Sequence, residues 1–161
     1  SIHDDDAGTI REKKVSDIHN RLKIIEENPD SIFVSIHQNH YSEDRYWGTQ
    51  VFYSANNPGS SVLAQYIQSS VVDKLQPENT RKIKQSGDSI YLLYHAQIPA
   101  VMVECGFLSN AGETAKLNDN AYRQQMADAI SDGIANYIIS VQKTECSSEL
   151  MGNEDVKSGK K

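Results

Sequence analysis

Two short runs of aliphatic and β-branched residues, Ile32-Phe33-Val34-Ser35-Ile36 and Ala100-Val101-Met102-Val103, constrain this chain more than any other feature. Neither alternates polar with apolar, so both read as strands covered by helices on two faces. Helical stripes surround them. Val15, Ile18, Leu22 and Ile25 recur at helical spacing over Lys13 to Glu27, ahead of the stop Asn28-Pro29-Asp30. Thr49 to Tyr53 is a further strand, and Asn56-Asn57-Pro58 opens a helix with Val62, Leu63, Tyr66, Ile67, Val71 and Leu75, closed by Pro77. Ile90 to Leu93 is a short apolar piece that fits either type. Residues 109 to 118 read as a turn plus a short helix, and Tyr122, Met126, Ile130, Ile134, Tyr137, Ile138 and Val141 mark a last helix over 120 to 141. The order helix, strand, strand, helix, strand, helix predicts a three-layer α/β/α fold on a mostly parallel sheet, with the strand at 32 to 36 central.

At 161 residues the chain is the length of one domain. Sixteen Lys and Arg against 22 Asp and Glu give a net charge of −6, the wrong sign for neutralising phosphates, which argues against nucleic acid as a partner. No apolar run approaches the ~18 to 20 residues of a membrane span, so no transmembrane segment is expected. The start, Ser1-Ile2-His3-Asp4-Asp5-Asp6, has neither the basic nor the apolar part of a signal peptide. Cys105 and Cys146 lack CxxC or Cys-His spacing, which argues against a cysteine-built zinc site; they read as free thiols, with a mutual disulfide as the alternative.

The chemistry gathers at two places. His37 and Glu104 each follow one of the two buried runs, at the carboxyl ends where open α/β sheets place their sites. Strands lie about 4.8 Å apart, so on neighbouring or next-neighbouring strands the two groups converge within ~5 to 10 Å. A lone strand-end histidine is often merely satisfied by hydrogen bonds. Glu104 is harder to explain that way, because a carboxylate between four apolar residues and Cys105-Gly106-Phe107 is partly buried and needs a positive partner such as a histidine or a metal.

Ser35-Ile36-His37-Gln38-Asn39, together with Val103-Glu104-Cys105-Gly106-Phe107-Leu108-Ser109-Asn110, resembles the two C-terminal motifs of the zinc-dependent N-acetylmuramoyl-L-alanine amidases, the type-3 amidase family of cell-wall hydrolases. The resemblance covers roughly residues 15 to 140, including the helix with Arg21, the Trp47-Gly48-Thr49 lead into a strand and the Leu93 to Pro99 approach. Ile18-His19-Asn20-Arg21-Leu22 and Glu78-Asn79-Thr80-Arg81 look most like the spore-cortex subgroup. The resemblance implies that His37 is a zinc ligand. It implies that Glu104 is a general base acting on zinc-bound water and then a proton donor to the leaving amine. The substrate would be peptidoglycan, cut between the lactyl group of muramic acid and L-alanine, outside the cytoplasm in the cell wall or spore cortex.

The match is incomplete. The family's Asp-Pro-Gly-His-Gly type segment, with the first zinc histidine, and its downstream glutamate ligand have no counterpart here, whereas a catalytic zinc takes three protein ligands. Residues 1–143 are therefore expected to be the C-terminal part of an amidase catalytic domain, lacking its N-terminal strand and helix, and 144–161 a polar tail. Zinc then has one named ligand, which leaves room for a protein partner that completes or activates the site. His40, three residues after His37, and His95, near the Pro99 strand, are the other candidate ligand or rim positions; His19 and His3 read as solvated. Two further readings stand beside the amidase: a non-catalytic wall-binding or partner-binding module, and a Cys-His hydrolase built on Cys105, which strand alternation opposes by turning Cys105 away from Glu104. Ser109 and Asn110 are expected to cap the helix bearing Glu113, and Asn39 to shape the turn after His37. The aromatic and acidic loop from Tyr41 to Trp47 either lines a glycan groove or is plain surface.

Overall fold

The computed structural model describes residues 1–154, with side chains as far as residue 144. Helix α1 (Ile10–Glu26) starts three residues before the expected Lys13 because Thr9 and Glu12 form a capping box. The Thr9 hydroxyl accepts from the Glu12 N–H at 3.2 Å, and the Glu12 carboxylate accepts from the Thr9 N–H at 2.8 Å. Strands β1 (Phe33–Asn39) and β2 (Gln50–Tyr53) follow, then α2 (Pro58–Leu75), whose start is fixed by Pro58 and by the Asn57 side chain accepting from the Gly59 N–H. The chain continues through β3 (Lys84–Gln85), α3 (Tyr91–His95), β4 (Ala100–Phe107), α4 (Ala111–Asn118) and α5 (Asn120–Glu154).

The sheet order is β1-β4-β2-β3, with β1 parallel to β4, β3 parallel to β2, and β2 antiparallel to β4. On one face, Ile25 of α1 and Leu93 of α3 pack with Phe33, Phe52 and Met102. On the other, Leu63, Ile67 and Val71 of α2 and Met126 and Ile130 of α5 pack on Val51, Val101, Val103 and Cys105. This is the expected three-layer α/β/α architecture on a mostly parallel sheet. The helices of the second face touch backbone to backbone: a Cβ at Gly133 would lie 2.6 Å from Cα of Ile67.

Three details differ from the pattern reading. First, among the described residues β1 is an edge strand, and Ile36 is 56% exposed; the strand buried along nearly its whole length is β4. An apolar run records the side chains' affinity for a core and not the number of strands paired alongside. Second, His37 and Glu104 lie within β1 and β4, because ladder pairing continues past the end of each apolar run. Third, α5 runs beyond Val141 to Glu154, since good helix formers such as Gln142 and Lys143 extend a helix without an apolar stripe. The rest of the expected tail, 155–161, lies outside the described residues, as does the side chain of Cys146; Cys105 is a buried free thiol. No helix among the described residues is long and apolar enough to cross a membrane.

Candidate active site

The ladder brings the two sequence candidates together. His37 pairs with Glu104 between the parallel strands, and Glu104 pairs with Gln50 between the antiparallel ones. Directly paired residues share a sheet face, so His37, Glu104 and Gln50 form a row across β1, β4 and β2. The next pair on β1 and β4 is Asn39 with Phe107, two steps on in one strand and three in the other. The extra residue is a bulge at Cys105-Gly106, and it returns Phe107 to the face of Glu104. Cys105 packs on the opposite face with Val103, Leu117 and Met126.

Glu104 is only 9% exposed, and its Oε2 is buried without a hydrogen-bond partner among the described residues. Burial pushes its carboxyl above the ordinary value, and the charge of His37 pulls it partly back. A buried, unpartnered carboxylate oxygen costs free energy, which makes Glu104 a candidate for a role in chemistry. His37 is exposed, with Nε2 2.9 Å from Oγ of Ser35. It borders a cleft of about 320 Å³ with Ser35, Tyr91 and Met102, and a larger one of about 670 Å³ with Ile36, Leu108, Met126 and Ile130. The Cys105 thiol is pushed up to about 12, first by burial and then by the charge of Glu104, so at neutral pH it is neither a thiolate nor on the face of His37.

The remaining histidines do not join this pair. His40 is exposed, and its backbone N–H donates to Oδ1 of Asn39. His95 lies tilted against Tyr91 at 4.4 Å and edge-on to Tyr94 at 5.1 Å; His19 reaches the same Tyr91 ring at 5.5 Å, and His3 meets Oγ of Ser1. Among the described residues no three His, Cys, Asp or Glu side chains converge as a metal site. His37 with Glu104 falls short of the three ligands of a catalytic zinc, so zinc does not fit these residues by themselves.

Three further residues shape the site without any apolar pattern to announce them. Glu113, 7% exposed, accepts through Oε2 from the N–H of Gly48 at 2.9 Å and of Phe107 at 2.8 Å. It thereby clamps the lead into β2 onto the end of β4. Gln50 extends the row of His37 and Glu104. Arg81, whose neighbourhood Glu78 to Arg81 carries part of the family resemblance, donates from Nε to the Trp47 carbonyl at 2.7 Å and from Nη1 to Oε1 of Gln50 at 3.3 Å. Its guanidinium lies 4.7 Å over the Phe107 ring. The Tyr41 to Trp47 loop packs on this platform through Tyr46, 6.1 Å from Phe107 and edge-on to Tyr41 at 4.8 Å. Asn110 caps α4 as expected and also donates to the Asp44 carbonyl, while Ser109 accepts from the Tyr41 N–H.

The profile of the N-acetylmuramoyl-L-alanine amidases matches residues 3–136. The chain belongs to this family. Among curated relatives of this amidase-family chain, the germination-specific N-acetylmuramoyl-L-alanine amidase of Bacillus subtilis (strain 168) is 32% identical over 125 residues, covering 78% of this chain and 52% of its own length. LytC, an N-acetylmuramoyl-L-alanine amidase of the same strain, is 30% identical over 66% of this chain and 21% of its own. Among solved structures, the CwlD amidase of Clostridioides difficile, in complex with the GerS lipoprotein, superposes with a TM-score of 0.81 at 36% identity, covering 87% of this chain and 71% of its own. The amidase AmiC2 of Nostoc punctiforme gives 0.67 at 26% identity over 74% and 64%. The chain thus spans about half the length of the germination-specific relative.

Proposed function

We propose that this chain carries the general base of a peptidoglycan amidase that hydrolyses the amide between the lactyl group of N-acetylmuramic acid and L-alanine. The observation that carries the reading is the buried, unpartnered carboxylate of Glu104 set in register beside His37, in a member of this family. Glu104 takes a proton from water as the water oxygen bonds to the lactyl carbonyl carbon. The C–N bond then breaks and the proton passes to the alanine nitrogen, leaving a lactyl carboxyl group and a free amine. A carboxyl raised above its ordinary value suits both halves of that transfer.

His37 is our candidate zinc ligand. The described donors alone stop short of the three protein ligands that a catalytic zinc takes. The relative named germination-specific supports a role in cell-wall or spore-cortex remodelling, outside the cytoplasm, and the relative solved with a lipoprotein supports a protein partner that completes or activates the site. The incomplete donor set is also what a non-catalytic wall-binding module would show. Incubating the full-length protein with purified peptidoglycan separates the two. The amidase reading expects new L-alanine amino termini that disappear on chelation, whereas sedimentation with the wall and no new termini would replace it with the binding module.

A further inference from the structure

We infer that Arg81 reads a carboxylate on the stem peptide just beyond the L-alanine of the scissile amide, which makes it a specificity-determining residue. The inference rests on the amidase reading and adds the substrate's charge to it. Arg81 is tied to the face that bears Glu104. Its Nη1 donates to Gln50, the cross-strand partner of Glu104, and its guanidinium covers Phe107, which the bulge turns onto the same face.

The side chain is also held still. Nε is anchored on the Trp47 carbonyl, and the Arg81 N–H donates to Oδ1 of Asn79 at 3.0 Å. Asn79 is itself buried, and its amide donates to the Thr49 carbonyl and to Oε1 of Gln76, each at 2.9 Å. A fork fixed before binding loses little side-chain entropy when a ligand arrives.

What remains free is the charge. Among the described residues no carboxylate pairs with Arg81, and its Nη2 carries no hydrogen bond, whereas the neighbouring Arg45 is paired with Glu43 at 2.7 Å. Arg81 lines a cleft of about 300 Å³ with Tyr46, Trp47, Thr80 and the already paired Arg45. A planar, un-neutralised guanidinium facing a cleft is matched to a carboxylate taken bidentately.

The reach agrees. With one cross-strand step to Gln50 and one hydrogen bond beyond it, the guanidinium stands roughly 10 Å from the Glu104 carboxyl, and an extended peptide covers about 3.5 Å per residue. A carboxylate on the residue after L-alanine falls within that span. In peptidoglycan that residue is a glutamate joined through its side chain, and its α-carboxyl is either free or amidated.

The test is a binding titration of the full-length protein carrying Glu104→Gln, so that neither ligand is turned over. The probes are N-acetylmuramoyl-L-alanyl-D-glutamate γ-methylamide, which keeps the α-carboxyl free, and its α-carboxamide counterpart, so that the side-chain carboxyl is blocked in both as it is in the joined residue. The free acid should bind about tenfold to a hundredfold more tightly than the amide, the range of hydrogen bonds to a charged group. Adding Arg81→Gln should erase that preference, and Arg81→Lys should keep part of it, with thermal unfolding of each variant reporting whether the fold is intact. Binding of neither probe, equal binding of both with Arg81 in place, or a preference that survives Arg81→Gln overturns the inference. Turnover by the protein with Glu104 restored is scored separately: preference without turnover sinks the amidase reading and spares Arg81, and turnover without preference does the reverse.

Discussion

Replacing Glu113 with alanine should cost the fold about 3 kcal/mol. The carboxylate is 7% exposed, and one oxygen serves two backbone donors, Gly48 at 2.9 Å and Phe107 at 2.8 Å. Alanine removes the acceptor and leaves both N–H groups buried and unsatisfied, each worth ~1 to 3 kcal/mol. The carboxyl atoms also fill the space over Gly106, where a Cβ would meet them at 3.0 to 3.1 Å, so the substitution opens a small void as well. Glu113→Gln keeps an acceptor oxygen of the same reach and gives up only the charge assistance, so its cost should be near 1 kcal/mol. Urea unfolding followed by circular dichroism, with midpoints compared at unchanged slope, measures both. A Glu113→Ala protein within about 0.5 kcal/mol of wild type would refute the clamp. A glutamine variant as unstable as the alanine one would show that the charge, and not the acceptor, holds the strand ends together.

Gly133→Ala should destabilise by about 2 kcal/mol despite alanine's better helix propensity, because the new Cβ meets backbone of α2, Cα of Ile67 at 2.6 Å and the Tyr66 carbonyl at 3.0 Å, which cannot step aside; a melting temperature at or above wild type in calorimetry would contradict this. The folded Glu104 carboxyl titrates above its ordinary value of 4.5, so the folded state holds more protons and wild-type stability falls as pH rises from about 4.5 through the raised value. In the metal-free protein Glu104→Gln should flatten that fall and be the more stable form at neutral pH, and chemical unfolding that finds it less stable there would count against the buried charge. Zinc titrated into the 161-residue chain should bind weakly, with His37→Ala changing little; tight stoichiometric binding would mean that His40, His95 or a second copy completes the site.

Much of this architecture is legible in the residues, because buried strands and amphipathic helices leave strong hydrophobic patterns. His37 and Glu104 stood out as lone ionisable groups against apolar runs, and the ladder pairs them directly. Apolar pattern tracks burial, though, and not backbone pairing. That is why β1 and β4 continue through His37-Gln38-Asn39 and Glu104-Cys105-Gly106-Phe107, and why an apolar run read as central lies, among the described residues, at the sheet's edge. The capping box of Thr9 and Glu12 was written in the chain and outlies the apolar stripe that locates α1. Arg81 stood in the Glu78 to Arg81 stretch of the resemblance with nothing to say what it touches, and Gln50 and the Glu113 clamp carried no signal of their own, since the partners lie 31 to 34 residues away at Gln50 and Trp47, across a strand at Glu104, and 65 residues away at Gly48. Such roles exist only once the chain has folded.

The role of Glu104 is tested most directly by counting new L-alanine amino termini released from purified peptidoglycan by the full-length protein and by its Glu104→Gln variant, with thermal unfolding of both recorded alongside. Loss of a positioned general base should lower the rate by about a hundredfold to ten-thousandfold while the variant melts no lower than wild type. A folded Glu104→Gln protein that releases termini at the wild-type rate would contradict the assignment of Glu104 as the base.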